Sequence, residues 1–206
     1  MLFGIFVYDG VEPIDLATFG VLSMARRIAP HIRICTIAPK AGIVRLSNGL
    51  DVVAQFGIED APVCDIVIVT GGPGWEDQSR SPATLAYIRC VHASGKVASV
   101  CTGAMILAAS GVLDGTVATT KRAVVAPEIS PLERMRDMHP QIDVREASIV
   151  DSGAVVTGGG VSLCIDTTLH ILERMLGEQV ANETARILEY QRARKANRDR
   201  EAFLAG

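Results

Sequence analysis

The sequence lacks the marks of membrane-spanning and nucleic-acid-binding proteins. It has no run of about 18 apolar residues, which argues against a membrane span. Its 20 basic and 23 acidic residues give a formal net charge of −3, so it has no general attraction to nucleic acid or membrane surfaces. The N-terminus has no basic segment and is interpreted as a strand rather than a signal peptide. We expect a cytoplasmic protein without nucleic-acid or membrane partners.

Metal-binding patterns are also absent. No CxxC pair occurs, and no Cys/His spacing is typical of a zinc site. Four of the five cysteines stand in apolar or element-forming contexts, which predicts buried free thiols in a reducing compartment. The cysteines are Cys35, Cys64, Cys90, Cys101 and Cys164. We expect no metal and no organic cofactor.

Histidine is missing where a cysteine hydrolase would need it. The chain has four histidines, which lie at helix edges or inside predicted helices, and none stands at a strand end. A Cys–His dyad is therefore not indicated, although many hydrolytic cysteine enzymes depend on a histidine base.

Buried strands alternate with helices along most of the chain. Continuous apolar runs at 2–8, 32–38, 66–70 and 97–100 predict core strands, and helical patterns follow them. This alternation predicts a single α/β domain with a mostly parallel sheet covered on both faces. Ligand sites in such sheets lie at the carboxyl ends of the strands. The loop at 9–15, the loop at 70–77 and the turn at position 101 are expected at that edge.

The C-terminal segment differs from the rest. We predict a domain over 1–190 and a basic tail over 191–206, which carries five arginine and lysine residues between 192 and 200. The tail is interpreted as a solvated helix end or frayed terminus, with a nucleic-acid contact as the alternative.

One strand–turn–helix corner carries the best candidate for chemistry. The apolar run 97–100 ends at Cys101, and Thr102, Gly103 and an apolar helical stretch follow. Such corners expose the apical side chain in a tight turn, and the positive end of the helix dipole favours a thiolate. We interpret Cys101 as a candidate nucleophile, with a structural thiol as the alternative.

A glycine-rich loop is predicted to face this corner. Gly71 and Gly72 follow a strand, so their backbone can approach a ligand closely. Their N–H groups, with the N–H of Thr102, would form an oxyanion-type pocket; a tight turn without a ligand is the alternative. No Lys-Ser/Thr follows and GxGxxG is not matched, so a phosphate loop is not indicated.

Polar residues from two other segments are candidates for the same site. Asp15, near a helix start, either complements the helix dipole or lies beside the thiol. In a sheltered pocket its pKa would be raised, and it could act as general acid; Glu12 is a weaker candidate. Thr119 and Thr120 end a short strand and either line the pocket or are solvated.

Together these motifs resemble the ThiJ/PfpI superfamily, whose members share the class I glutamine-amidotransferase-like fold. The matching segments are 71–74, 100–103, 118–120 and 157–166, in order along nearly the whole chain. The resemblance is closest to isocyanide hydratases, which share the Cys-Thr-Gly corner and an Ile/Leu-Asp-Leu, here 14–16. It implies a flavodoxin-like three-layer sandwich with a nucleophile elbow, assembled as a homodimer.

The resemblance also implies a function. A lyase of this kind hydrates a small-molecule isocyanide to an N-formamide through a thioimidate on Cys101. Asp15 would transfer protons, and Thr102 with Thr119 or Thr120 would orient water. Two alternatives stay open: a glyoxalase-type or oxidative-stress protein, and a ligand-sensing module related to AraC-type regulators. The second would lack a DNA-binding domain, since only 16 residues follow position 190.

Three positions depart from patterns common among relatives. Members with proteolytic or amidase-like activity often have histidine where this chain has Thr102, and many relatives have histidine in place of Lys121. These two changes argue against peptide or amide hydrolysis. Stress-response members often use a glutamate after the first strand, where this chain offers Asp15.

Overall fold

The fold is built on an eight-stranded sheet, accompanied by two small two-stranded sheets. A computed structural model describes residues 1–200 and 203–205. The strands are β1 (Leu2–Phe6), β2 (Arg33–Ala38), β3 (Gly42–Arg45), β4 (Asp51–Ala54), β5 (Phe56–Gly57), β6 (Ile66–Val69), β7 (Lys96–Ser99), β8 (Val117–Ala118), β9 (Asp143–Val144), β10 (Ile149–Asp151), β11 (Val155–Gly158) and β12 (Phe203–Ala205).

The main sheet has the strand order β12-β10-β11-β7-β6-β1-β2-β5. All neighbours from β11 to β5 run parallel, whereas β10 pairs antiparallel with β11. Every side chain of β6 is buried, which requires cover on both faces. The mostly parallel sheet predicted from the continuous apolar runs is therefore confirmed.

Helices flank the sheet in two groups. In one group, the helix that follows β1 packs against the two helices that follow β11. In the other, the helices that follow β6 and β7 pack against one another. The helices are α1 (Ala17–Ala25), α2 (Trp75–Arg80), α3 (Pro82–Ser94), α4 (Gly103–Ser110), α5 (Pro131–Met138), α6 (Leu163–Leu176), α7 (Glu178–Ile187) and α8 (Gln191–Arg200). This arrangement is the expected three-layer sandwich. In the described part of the chain, no helix combines the length and apolarity that a bilayer crossing needs.

Two helices differ from the sequence prediction. The segment after Gly74 forms α2, although the Gly-Gly-Pro-Gly run before it predicts a loop over 70–77. Trp75 anchors this helix because its ring is buried and the Arg134 guanidinium lies 4.6 Å from the ring centroid. A helical pattern in the sequence covers 127–138, whereas α5 begins only at Pro131, where proline occupies a first-turn position.

The basic segment after residue 190 is in contact with the domain. Arg194 is only 6% exposed, and its guanidinium bonds to Asn182 on α7 and Glu173 on α6. The expectation of a wholly solvated tail is thus wrong at Arg194, where two acceptors on the domain surface hold the side chain. The division at residue 190 stays a prediction, and tail residues 201, 202 and 206 lie outside the described residues.

Candidate active site

Cys101 occupies a sharp turn between β7 and α4. Its φ angle is 53°, in the left-handed region, which costs a non-glycine residue about 1–2 kcal/mol. Two hydrogen bonds hold the turn: the Thr120 hydroxyl donates to the Cys101 carbonyl at 2.8 Å, and the Cys101 N–H donates to the Gly159 carbonyl at 3.2 Å. The surrounding fold therefore stabilises a strained backbone at the candidate nucleophile.

Gly71, in the loop after β6, packs directly against this turn. A Cβ atom at Gly71 would lie 2.8 Å from the Cys101 Cβ and 2.4 Å from the Thr102 nitrogen, so only glycine permits the approach. The Gly71 N–H points the other way and donates to Asp15 Oδ2 at 2.6 Å. Asp15 and Cys101 are thus brought together on either side of one glycine.

Asp15 is a buried acid. It lies on a 3-10 turn, Pro13–Leu16, between β1 and α1, and none of its surface is exposed. Its Oδ1 atom is buried without a hydrogen-bond partner among the described residues. Burial raises the pKa of Asp15 from 3.8 to about 7; the Gly71 N–H opposes this rise, and the Glu12 charge adds to it. This rise in the pKa agrees with the expectation for a carboxyl in a sheltered pocket.

The Cys101 thiol is also buried, with 2% of the residue exposed. Burial raises the pKa of Cys101 above its ordinary value and the Asp15 charge raises it further, while the Thr102 N–H, Lys121 and the Thr102 hydroxyl lower it. The expectation of an exposed thiol held as thiolate by the helix dipole is therefore wrong. The segment at Gly160 covers the sulfur, since a Cβ on Gly160 would lie 3.1 Å from Sγ.

The glycine-loop N–H groups do not form the predicted oxyanion pocket. The Gly71 N–H is bound to Asp15, and the Gly72 N–H donates to the Thr102 hydroxyl oxygen at 2.8 Å. The expectation that both face the thiol is wrong, because the loop uses them to fix the acid and the turn. Of the three expected donors, only the Thr102 N–H bonds to the sulfur.

Both predicted threonines are buried near the turn, and both hydroxyls donate to backbone carbonyls. Thr119 donates to Ala147 at 3.1 Å, and Thr120 donates to Cys101 at 2.8 Å. Their oxygens can still accept a hydrogen bond from water, but their own protons are occupied. Water orientation by either residue stays a prediction.

A fourth loop, beyond the three expected at this edge of the sheet, also contributes to the site. β11 runs parallel to β7, so the glycines after it meet Cys101 at the same sheet edge. Cys164 follows this loop, and its thiol donates to the Ile14 carbonyl at 3.5 Å. Burial and the nearby Asp15 charge raise the pKa of Cys164 to about 12. The Gly158–Gly160 run after an apolar strand was the available signal.

Tyr8 is a second neighbour that sequence reasoning missed. Its ring is fully buried, and its hydroxyl donates to the Thr70 carbonyl at 2.9 Å. Burial raises its pKa, and the charges of Asp15 and Cys101 raise it further, so the phenol stays protonated. No local signal distinguishes Tyr8 from the rest of its apolar strand.

The site therefore combines a protonated buried thiol with a carboxyl that titrates near neutrality. Such a pair can transfer a proton between sulfur and a substrate atom. Within residues 1–200 and 203–205, no group of three or more His, Cys, Asp or Glu side chains is arranged to hold a metal ion.

The fold and the site define an α/β protein with a cysteine at a sharp strand–helix turn on the carboxyl edge of a parallel sheet. The chain matches the DJ-1/PfpI family model over residues 4–174 and belongs to that family. Among similar proteins, the isonitrile hydratase of Pseudomonas putida is 31% identical over 192 residues, covering 91% of this chain and 77% of that protein.

Other similar proteins have names that are not those of hydratases. The HTH-type transcriptional regulator GlxA of Rhizobium meliloti (strain 1021) is 29% identical over 161 residues, covering 76% of this chain but 45% of the regulator. A ThiJ/PfpI family protein from Pseudomonas syringae has the same fold, with a TM-score of 0.80 and 23% identity over 92% of this chain and 75% of that one. Drosophila melanogaster DJ-1beta superposes with a TM-score of 0.75 and 19% identity, covering 91% and 97% of the two chains.

Proposed function

We propose that this protein is a cysteine-dependent hydratase that converts organic isocyanides to N-formamides. The observation that carries the proposal is the apposition of the buried Asp15 carboxyl and the Cys101 thiol across Gly71. The similarity to an isonitrile hydratase supplies the substrate class.

The reaction begins with one proton shared by the acid and the thiol. Near neutral pH, Asp15 is partly ionised while Cys101 is a thiol, since burial raises the pKa of both. As sulfur attacks the terminal isocyanide carbon, a C–S bond forms and the thiol proton passes to Asp15. Asp15 then delivers that proton to the same carbon, which gives a thioimidate, Cys–S–CH=N–R.

Water completes the reaction. It adds to the thioimidate carbon while Asp15 accepts one of its protons and passes that proton to the nitrogen, which gives the adduct Cys–S–CH(OH)–NH–R. The C–S bond then breaks as the adduct hydroxyl gives up its proton, which returns to the sulfur through Asp15, and the N-formamide leaves. The Thr102 N–H, which bonds to the sulfur in the resting site, stabilises the charge that returns to it.

The narrow access to the sulfur also favours this substrate class. Cys101 is 2% exposed, and a Cβ on Gly160 would lie 3.1 Å from its Sγ and 2.8 Å from the Lys121 Cβ, so the Gly160 backbone packs close to both. An isocyanide presents a linear N≡C terminus, which needs less opening of the site than a branched amide or ester.

The test is turnover of an aryl isocyanide, with N-formamide measured by chromatography. Wild-type protein and Cys90→Ser, which alters the exposed cysteine on α3, should turn over alike. Cys101→Ala should be inactive, and the turnover rate of Asp15→Asn should be at least about 100-fold lower than that of wild type. Wild-type turnover should fall as the pH drops below about 7, because the carboxylate form of Asp15 is needed to accept the thiol proton.

Three outcomes would contradict the proposal: no formamide from any isocyanide, unchanged turnover in Cys101→Ala, or turnover of methylglyoxal alone. The last would favour the glyoxalase-type alternative.

A ligand-sensing role is the second candidate. It is favoured by the similarity to transcriptional regulators, of which this chain covers about half: GlxA over 45% of its length and GbdR of Pseudomonas aeruginosa over 51%. A sensor would bind an isocyanide or related ligand without consuming it. A rise in wild-type melting temperature with no product formed would support this role over the hydratase.

A further inference from the structure

A pair of buried cysteines lies apart from the candidate active site. The Sγ atoms of Cys35 and Cys64 are 3.8 Å apart. Cys35 lies on β2, and Cys64 lies in the irregular segment just before β6. Both are free thiols, 3% and 9% exposed. The proposed hydration uses neither of them.

A glycine between the two strands makes the contact possible. Gly4 on β1 is registered with Cys35 on β2 and with Val67 on β6. A Cβ atom on Gly4 would lie 2.9 Å from the Cys64 sulfur, closer than real Cβ contacts allow. Cys64 therefore reaches over β1 to the thiol on β2 only because position 4 has no side chain.

We propose that Cys35 and Cys64 are a modification site at which a hydroperoxide forms a reversible intramolecular disulfide. A disulfide bond is about 2.05 Å long, so the two sulfurs must close by less than 2 Å. Cys64 can supply this movement because its segment has no regular structure and the preceding Val63 is 86% exposed. Cys35 stays fixed by the β2 ladder.

The electrostatics of the pair suit this chemistry. The hydrogen bond with Cys64 lowers the pKa of Cys35; burial opposes that effect, and the Arg33 charge adds to it. The hydrogen bond and the Arg33 charge favour the thiolate form of Cys35, and the thiolate is the form that reacts with peroxides.

The reaction balances in two steps. In the first, the Cys35 thiolate attacks a peroxide oxygen: an S–O bond forms, the O–O bond breaks, and the leaving oxygen takes the thiol proton as water or an alcohol. In the second, the Cys64 sulfur attacks the sulfenic sulfur: the S–S bond forms, the S–O bond breaks, and hydroxide leaves as water with the Cys64 proton. Two thiols are oxidised by two electrons, and the hydroperoxide is reduced.

Cys64 lies at the opposite end of the sheet from Cys101. The register of β6 and β7 pairs Ile66 with Lys96 and Val69 with Ser99, so Cys64 and Cys101 are separated by about seven residues along the strands. At about 3.3 Å per residue this is about 20 Å. The disulfide would thus form without consuming the thiol of the candidate active site.

Peptide mapping tests the proposal on the folded wild-type protein. The protein is treated with hydrogen peroxide, and the remaining thiols are alkylated in denaturant before digestion. We expect a peptide pair joined through Cys35 and Cys64, about 2 Da lighter than the two thiol peptides together, which a reductant separates.

A variant with Cys90, Cys101 and Cys164 replaced by serine keeps only the proposed pair and should form the same link. Cys35→Ser and Cys64→Ser serve as matched controls and should show no link at either position. Recovery of Cys35 and Cys64 as two alkylated thiols, while other cysteines are oxidised, would overturn the proposal. A link from Cys64 to any other cysteine would also overturn it.

Discussion

Replacing Asp15 by asparagine should change how the stability of the protein depends on pH. Asparagine keeps the shape of the side chain and the acceptor for the Gly71 N–H, which donates to Asp15 Oδ2 at 2.6 Å. It removes a charge that forms in a fully buried position. The variant therefore isolates the cost of ionising this carboxyl inside the protein.

The magnitude follows from the raised pKa of Asp15. In the unfolded chain the carboxyl titrates at its ordinary value of 3.8, and in the folded protein at about 7. Between these values the folded state binds more protons than the unfolded state, so the free energy of unfolding falls as the pH rises. Each pH unit of the difference is worth about 1.4 kcal/mol. Ionised Asp15 thus costs about 4 kcal/mol above pH 7, and about 1 kcal/mol or less near pH 4.

Asparagine carries a cost of its own at every pH. Its amide group would take the place of Oδ1, which has no partner among the described residues. A buried unpaired N–H₂ costs about 1–3 kcal/mol. We therefore expect Asp15→Asn to be less stable than wild type near pH 4 and more stable near pH 8, with a net change of about 3–4 kcal/mol between them.

Urea unfolding from pH 4 to pH 8, followed by the fluorescence of the single tryptophan, measures this difference. Asp65→Asn is the matched control, because Asp65 is an exposed carboxyl that also accepts a backbone N–H, from Leu2 at 2.7 Å. The free energy of unfolding of Asp65→Asn should change with pH in parallel with that of wild type. If the Asp15→Asn curve also runs parallel to wild type, the argument that burial raises the pKa of Asp15 is refuted.

Three further outcomes can be checked on the same protein. Gly71→Ala should abolish isocyanide turnover, because the new methyl carbon would lie 2.4 Å from the Thr102 nitrogen; Gly20→Ala, with nothing within 4 Å, should retain it. Thr120→Val should destabilise the protein by about 1–2 kcal/mol in urea unfolding, since it removes the donor to the strained turn; no change would contradict that role. Asp151→Asn should be destabilised at neutral pH, and this deficit should shrink as the solution is made more acidic. Despite the opposing effect of burial, its hydrogen-bonded and cationic partners hold the pKa of Asp151 below 3.8, and this stabilisation is lost as pH falls through that lowered value; a pH-independent deficit would refute it.

Local patterns were sufficient to place the candidate site at one edge of the sheet. The apolar runs that became β1, β6 and β7 predict parallel strands because both faces of such a sheet are covered. The glycines after β6 and the cysteine after β7 then fall at the same carboxyl edge, as found. The pairing of Asp15 with Gly71 spans 56 residues, so the loop order alone could suggest but not establish it.

The sequence by itself determined the order of the elements, the edge at which they end and the residue types available there, since these depend on local periodicity and turn chemistry. Only the tertiary structure decided that Cys101 is covered, that two of the three expected N–H donors are already occupied, and that Gly4 lets Cys35 meet Cys64. Solvation and hydrogen-bond occupancy depend on which distant backbone packs over a group to within a fraction of an ångström, and neighbouring residues in the chain do not specify that distance.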